Sequence, residues 1–194
     1  MNTITITDKN KDKIEKGLAK YEKIKELADN IDSDDFKKTF TSFYKVRRSQ
    51  NWRNKFFDIF SEKIRLGKQQ VSFKSILKDL QNQTNRIEAS FASKMLHTID
   101  DRKPIWDSVV LNHLSFKVHN INKEKRFDTI VNLYNNMCLG YNKLIETEKG
   151  KDIIKVFDDN FGKKDISEIK KIDFILWASK DKQILEDADL KLFK

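Results

Sequence analysis

"NWRNKFFDIFSEKIRL", residues 51–66, decides the fold class. Trp52, Phe56, Ile59, Phe60 and Ile64 fall at helical spacing, so they share one stripe of a helix and cannot share one side of a strand. Gly67 follows and ends the pattern, as glycine does beyond a helix C-terminus. The rest of the chain points the same way. A sheet with many tight turns needs glycine and proline, and the 194 residues include only 5 Gly and 1 Pro.

Toward the N-terminus, "DSDDFKKTFTSFYKV" opens on an acidic N-cap cluster at Asp32–Asp35 and continues with Phe36, Phe40, Phe43 and Tyr44 at helical spacing. Residues 8–29 read as a charged helix with Ile14, Leu18, Tyr21 and Ile24 near one face, and "TITIT" before it alternates as a short strand or a tail would. Toward the C-terminus, Ser72 caps "SFKSILKDLQNQ", whose stripe is Phe73, Ile76, Leu77 and Leu80. Ile87, Phe91, Met95 and Ile99 then recur every four residues and predict a helix over 87–99. Pro104 must break the chain, because the residue before a proline avoids the α region. A new helix is expected from Asp107 to about Val118, then a long one over 123–146 and shorter ones over 150–161 and 166–178, before a weakly helical tail. The expected architecture is all-α, about eight to ten helices in two packed lobes. The expected organisation is a charged N-terminal helix and tail (1–39), a core (40–180) and a C-terminal helical tail (181–194).

Composition narrows the function classes. The single Cys138 excludes an internal disulfide and all-cysteine metal or iron–sulfur sites. The start shows no positive segment followed by an apolar core, and no apolar run approaches the roughly 20 residues that span a bilayer. A cytoplasmic protein without membrane contact is the expectation. Net charge is +9, and residues 41–126 carry the surplus, with 18 basic and 8 acidic side chains. Concentrated positive charge draws polyanions, and DNA is the expected partner; protein partners are left open.

Signatures of nucleotide loops and zinc spacing are missing, and no cofactor or metal is expected. His113 and His119 stand six apart, on roughly opposite helix faces, and so make a poor metal pair. Asp100–Asp101 and Asp158–Asp159 diverge as adjacent residues do on a helix and read as caps or solvated charge. "FYKVRR" (43–48) and "WRNKFF" (52–57) interleave aromatics with bases. Arg47, Arg48, Trp52, Arg53 and Lys55 are therefore candidates for nucleic-acid contact, by stacking and phosphate binding. The competing reading puts the aromatics in the core and the bases on the outer face.

The sharpest pair is Lys94, in the helix before Pro104, and Asp107, three residues after it. His97 follows Lys94 by three and shares its face. As catalytic groups the two would be nucleophile and carboxylate; as structural ones, Lys94 is a surface lysine and Asp107 an N-cap.

A lysine-bearing helix, a short loop and then "PIWDSVV" opening the next helix resembles the central segment of helix-hairpin-helix DNA glycosylases, in particular proteins of the 8-oxoguanine DNA glycosylase fold. "KKIDFILWASK" is similar to their last core helix. The stretch equivalent to the family's glycine-rich hairpin, "NRIEASFASK", has no glycine. The resemblance implies a cleft between two lobes, floored by Lys94 and Asp107 and walled by Met95, His97 and Trp106. It implies base excision through a lysine Schiff base with strand cleavage, Asp107 stabilising the charge that grows on the sugar. The alternative is a non-catalytic basic module that binds nucleic acid or protein, as in a mobile-element or defence-system component.

Overall fold

The computed structural model describes residues 4–116, 124–179 and 183–194. Among them are ten α-helices, two short 3-10 helices and no strand. The helices are α1 (Asp8–Leu27), α2 (Asp34–Phe43), α3 (Gln50–Leu66), α4 (Phe73–Thr84), α5 (Ala89–Ile99), α6 (Ser108–His113), α7 (Arg126–Leu144), α8 (Glu148–Phe161), α9 (Glu168–Ala178) and α10 (Asp187–Leu190). The protein is all-α. Residues 4–7 of the alternating stretch form no strand, and among the described residues there is no strand to pair their backbone.

Hydroxyl caps set most of the helix starts. Ser33, Ser49, Ser72, Thr147 and Ser167 each accept a backbone N–H from the first turn of α2, α3, α4, α8 and α9. Several ends use the left-handed conformation without glycine. Lys45 (φ 50°), Asn85 (φ 54°) and Ser115 (φ 56°) all adopt it. At α6 the Ser115 N–H donates to Asn112 O at 3.1 Å and the Phe116 N–H to Leu111 O at 2.9 Å, which satisfies two carbonyls and turns the chain away. α6 therefore stops at His113, well short of the helix expected to run to Val118, a residue outside those described.

The chain divides into two compact units. A central unit holds Lys16–Asp100, and a terminal unit holds the described residues of Met1–Glu15 and Asp101–Lys194. The central unit is cored by aromatics. Phe36 and Phe40 of α2 meet Phe56, Phe57 and Phe60 of α3 with ring centroids 5.5–6.4 Å apart. All five rings are buried, each stabilising the unit by about 1.5–3 kcal/mol. In the terminal unit α9 packs on both α6 and α8, and the 3-10 helix Lys191–Phe193 packs on α7. Phe193 lies against Gly140, where a Cβ would come within 2.2 Å of its ring.

The break at Pro104 is clear. α5 ends at Ile99, α6 begins at Ser108, and the Pro104 carbonyl accepts the buried Tyr134 hydroxyl at 2.9 Å. Asp101 anchors the same loop. Its carboxylate accepts the Ser167 N–H at 3.1 Å and its carbonyl the Ser167 hydroxyl at 2.5 Å.

Candidate nucleic-acid interface

α2 and α3 of the central unit turn Phe36, Phe40, Phe56, Phe57 and Phe60 into the core, so the residues on their opposite faces turn outward. On α2 these are Lys37, Lys38, Thr41 and Ser42; on α3 they are Gln50, Arg53, Asn54 and Asp58. Together with Asp34 and the edge of Phe57 they line a hollow of about 640 Å³. A second hollow, of about 430 Å³, is lined by Ala19, Lys20 and Lys23 of α1 and Lys38, Thr39 and Ser42 of α2. Lys38 and Ser42 border both, so the two hollows adjoin.

The donors in the first hollow are pre-aimed. Arg53 Nη2 donates to Gln50 Oε1 at 2.9 Å, and Gln50 Nε2 donates to Asn54 Oδ1 at 2.8 Å. Neutral amides thus orient the guanidinium without cancelling its charge. The Lys37 amine stands over the Phe57 ring, 5.9 Å from its centroid. Among the described residues Lys37, Lys38 and Arg53 make no ion pair. The surrounding field has the same sign: Lys16–Asp100 contains 18 basic and 11 acidic residues, the rest of the chain 21 and 19.

Of the residues marked in the sequence for nucleic-acid contact, Arg53 lines this hollow and Arg47 is exposed in the loop before α3. The other three are otherwise engaged. Trp52 is buried, stacked on Phe56 at 5.2 Å and tilted against Phe91 at 4.7 Å, so its faces are taken by protein. Arg48 pairs with the buried Glu88 at 3.0 Å and lies over the Trp52 and Phe91 rings. Lys55 donates to Gln83 O at 2.9 Å, in the last turn of α4, where a cation complements the helix dipole.

Sequence reasoning missed Lys20, Lys23, Lys37, Lys38 and the amides. Lys37–Lys38 next to Phe36 was the available signal, since an inward residue 36 turns its neighbours outward. It was masked by the even balance of residues 1–40, which hold 9 basic and 9 acidic side chains.

Lys94 belongs to the central unit and Asp107 to the terminal unit. Lys94 is buried at 9% exposure. Its amine donates to Ser90 Oγ at 2.9 Å and lies 5.5 and 5.3 Å from the ring centroids of Tyr44 and Phe91. Asp107 is half-buried and caps α6, accepting the Val109 N–H at 2.9 Å. Met95 is fully buried; His97 is too, its Nε2 at 3.0 Å from the Tyr21 hydroxyl. Trp106 is buried in the terminal unit.

Other reactive groups are quiet. Burial pushes the Cys138 thiol up to about 11, so it stays protonated at neutral pH. Among the described residues no group of three His, Cys, Asp or Glu is placed to hold a metal, and no helix is long and apolar enough to cross a membrane. His119 lies outside the described residues.

No protein-family model, curated protein or solved structure matches the chain.

Proposed function

We propose that the protein binds nucleic acid along the cationic track of the two adjoining hollows. One observation carries this reading: Lys37, Lys38 and Arg53 line a depression without ion-pair partners, in the unit that holds most of the positive surplus. Cations not already neutralised by protein carboxylates release counterions when a phosphate backbone displaces them. The hydroxyls of Thr39, Thr41 and Ser42 add donors suited to phosphate oxygens. α3 adds a helix N-terminus with no acidic residue in its first turn.

The test is fluorescence anisotropy with labelled oligonucleotides across a salt series. The wild-type protein binds more weakly as salt rises. The variant Lys37→Ala, Lys38→Ala, Arg53→Ala binds more weakly still, with a shallower salt slope. Binding that is absent at low salt, or indifferent to salt, overturns the reading.

A second reading retains the chemistry implied by the glycosylase resemblance. In it the Lys94 amine attacks C1′ of the sugar, and the glycosidic bond to the base breaks as the C1′–Nζ bond forms, the base leaving with a proton. Its support is the burial of Lys94, which is only 9% exposed. Borohydride trapping on duplexes carrying damaged bases decides it, because only a Schiff base is reduced to a stable adduct. Wild type forms the adduct, and Lys94→Gln forms none while still binding DNA. DNA binding by wild type with no adduct leaves the non-catalytic module.

A further inference from the structure

The two hollows differ in chemistry. The second has lysines and hydroxyls and no carboxylate in its lining; Lys23 pairs with Glu26 at 3.1 Å, so among the described residues its cations without an ion pair are Lys20 and Lys38. The first adds Asp34 and Asp58, and among the described residues neither makes an ion pair. Two open carboxylates accept hydrogen bonds from a neutral group that carries N–H donors, which a phosphate diester lacks. A nucleobase is such a group, and the phosphates beside it would find Lys38 at the junction.

The order of groups on α3 narrows the base. Gln50, Asn54 and Asp58 follow at intervals of four and form one stripe. The Asn54 carbonyl oxygen is occupied by Gln50, so its amide group is the free end and donates. One turn further stands the Asp58 carboxylate, which only accepts. Donor beside double acceptor is the complement of guanine's base-pairing edge, where O6 accepts and the adjacent N1–H and 2-amino group both donate. Adenine and cytosine offer one donating amino group there, thymine one ring N–H, so none engages both carboxylate oxygens.

We propose that the first hollow takes an unpaired guanine of a single strand, with Asp58 on N1–H and the 2-amino group and the Asn54 amide on O6, while the second hollow holds the flanking phosphate. This rests on the nucleic-acid reading above and names its substrate class. Duplex DNA hides that edge in the base pair and is excluded from the first hollow.

The test measures anisotropy with labelled dT15, with the same strand carrying one central dG, and with the dG strand annealed to its complement. The dG strand binds about tenfold tighter than dT15, the scale of one charge-assisted hydrogen-bonding pair. Annealing removes the advantage, as does a central inosine, which lacks the 2-amino group. Asp58→Asn loses the dG preference, so that the dG strand and dT15 bind alike. Equal binding of dG and dT strands overturns the proposal while leaving the cationic track standing. So does a preference that survives Asp58→Asn or annealing. GMP that displaces the strand at concentrations below the strand's own Kd reassigns the hollow to a free nucleotide and also overturns it. Failure of every strand to bind removes the functional reading itself.

Discussion

His113 sits at the end of α6 with 3% exposure, and neither ring nitrogen makes a hydrogen bond of good geometry. Burial lowers its pKa from the ordinary 6.5, and the nearby carbonyls of Leu176 and Ser179 offset this only in part. The unfolded chain therefore binds a proton that the folded protein excludes. Stability from neutral His113 is present above the unfolded value and lost as pH falls below about 6.5 toward the lowered folded value. Thermal melts should show Tm falling through this window in the wild type. His113→Gln should begin lower at pH 8 and fall less steeply; an unchanged slope would show that His113 does not govern it. Arg48 teaches the complementary lesson at this scale. In sequence it stands with Arg47 as one basic pair, yet its guanidinium holds Glu88 while Arg47 reaches solvent. The partner forty residues away is invisible to local pattern.

Helix starts were legible because caps are local chemistry. Ser33 or its acidic neighbours, Ser72 and Asp107 could each be picked out from one side chain and the apolar run behind it. Helix ends were less so. Gly67 and Gly162 close α3 and α8 with positive φ, as glycine allows. Lys45, Asn85 and Ser115 take up positive φ at the ends of α2, α4 and α6. A lysine or serine there carries no end signal, which is why α6 reads too long in sequence. Left-handed geometry costs a side-chain-bearing residue about 1–2 kcal/mol, part of which glycine returns through its freer unfolded state. Ser115→Gly is thus expected to stabilise the protein by about 0.5–1 kcal/mol. A higher urea midpoint at unchanged m-value would be the sign of it. A midpoint that stays or falls would mean that the Ser115 side chain contributes something beyond its backbone conformation.

At the scale of the whole molecule, charge is the property that separates the two units. The central unit carries 18 basic against 11 acidic residues; the terminal unit is near balance, with 21 against 19. A slope of log affinity against log salt counts the phosphates neutralised, at about 0.7 per contact for a single strand. Removing Lys37, Lys38 and Arg53 together is expected to flatten that slope by about 2, if each holds one phosphate. Replacing Arg48, Lys55 and Trp52 instead should leave the slope largely in place and lower Tm, since those side chains serve the fold.

By itself the sequence determined that the chain is helical. A 3.6-residue period, hydroxyl caps and a shortage of glycine and proline are written in neighbouring residues, and neighbours are enough to form a helix. It also determined the break between α5 and α6, because a proline in the interior of a helix removes a backbone donor and clashes with the preceding turn. Only the tertiary structure decided which cations are available. Lys37 and Lys38 come beside Arg53 because five phenylalanines clasp α2 to α3, and Trp52 is withdrawn because Phe56 and Phe91 close on its faces. It also decided that Lys94 is buried, on an apolar helix where a surface position was equally open. Periodicity is a property of one segment, whereas exposure, ion pairing and the shape of a hollow arise when segments distant in sequence compete for the same core.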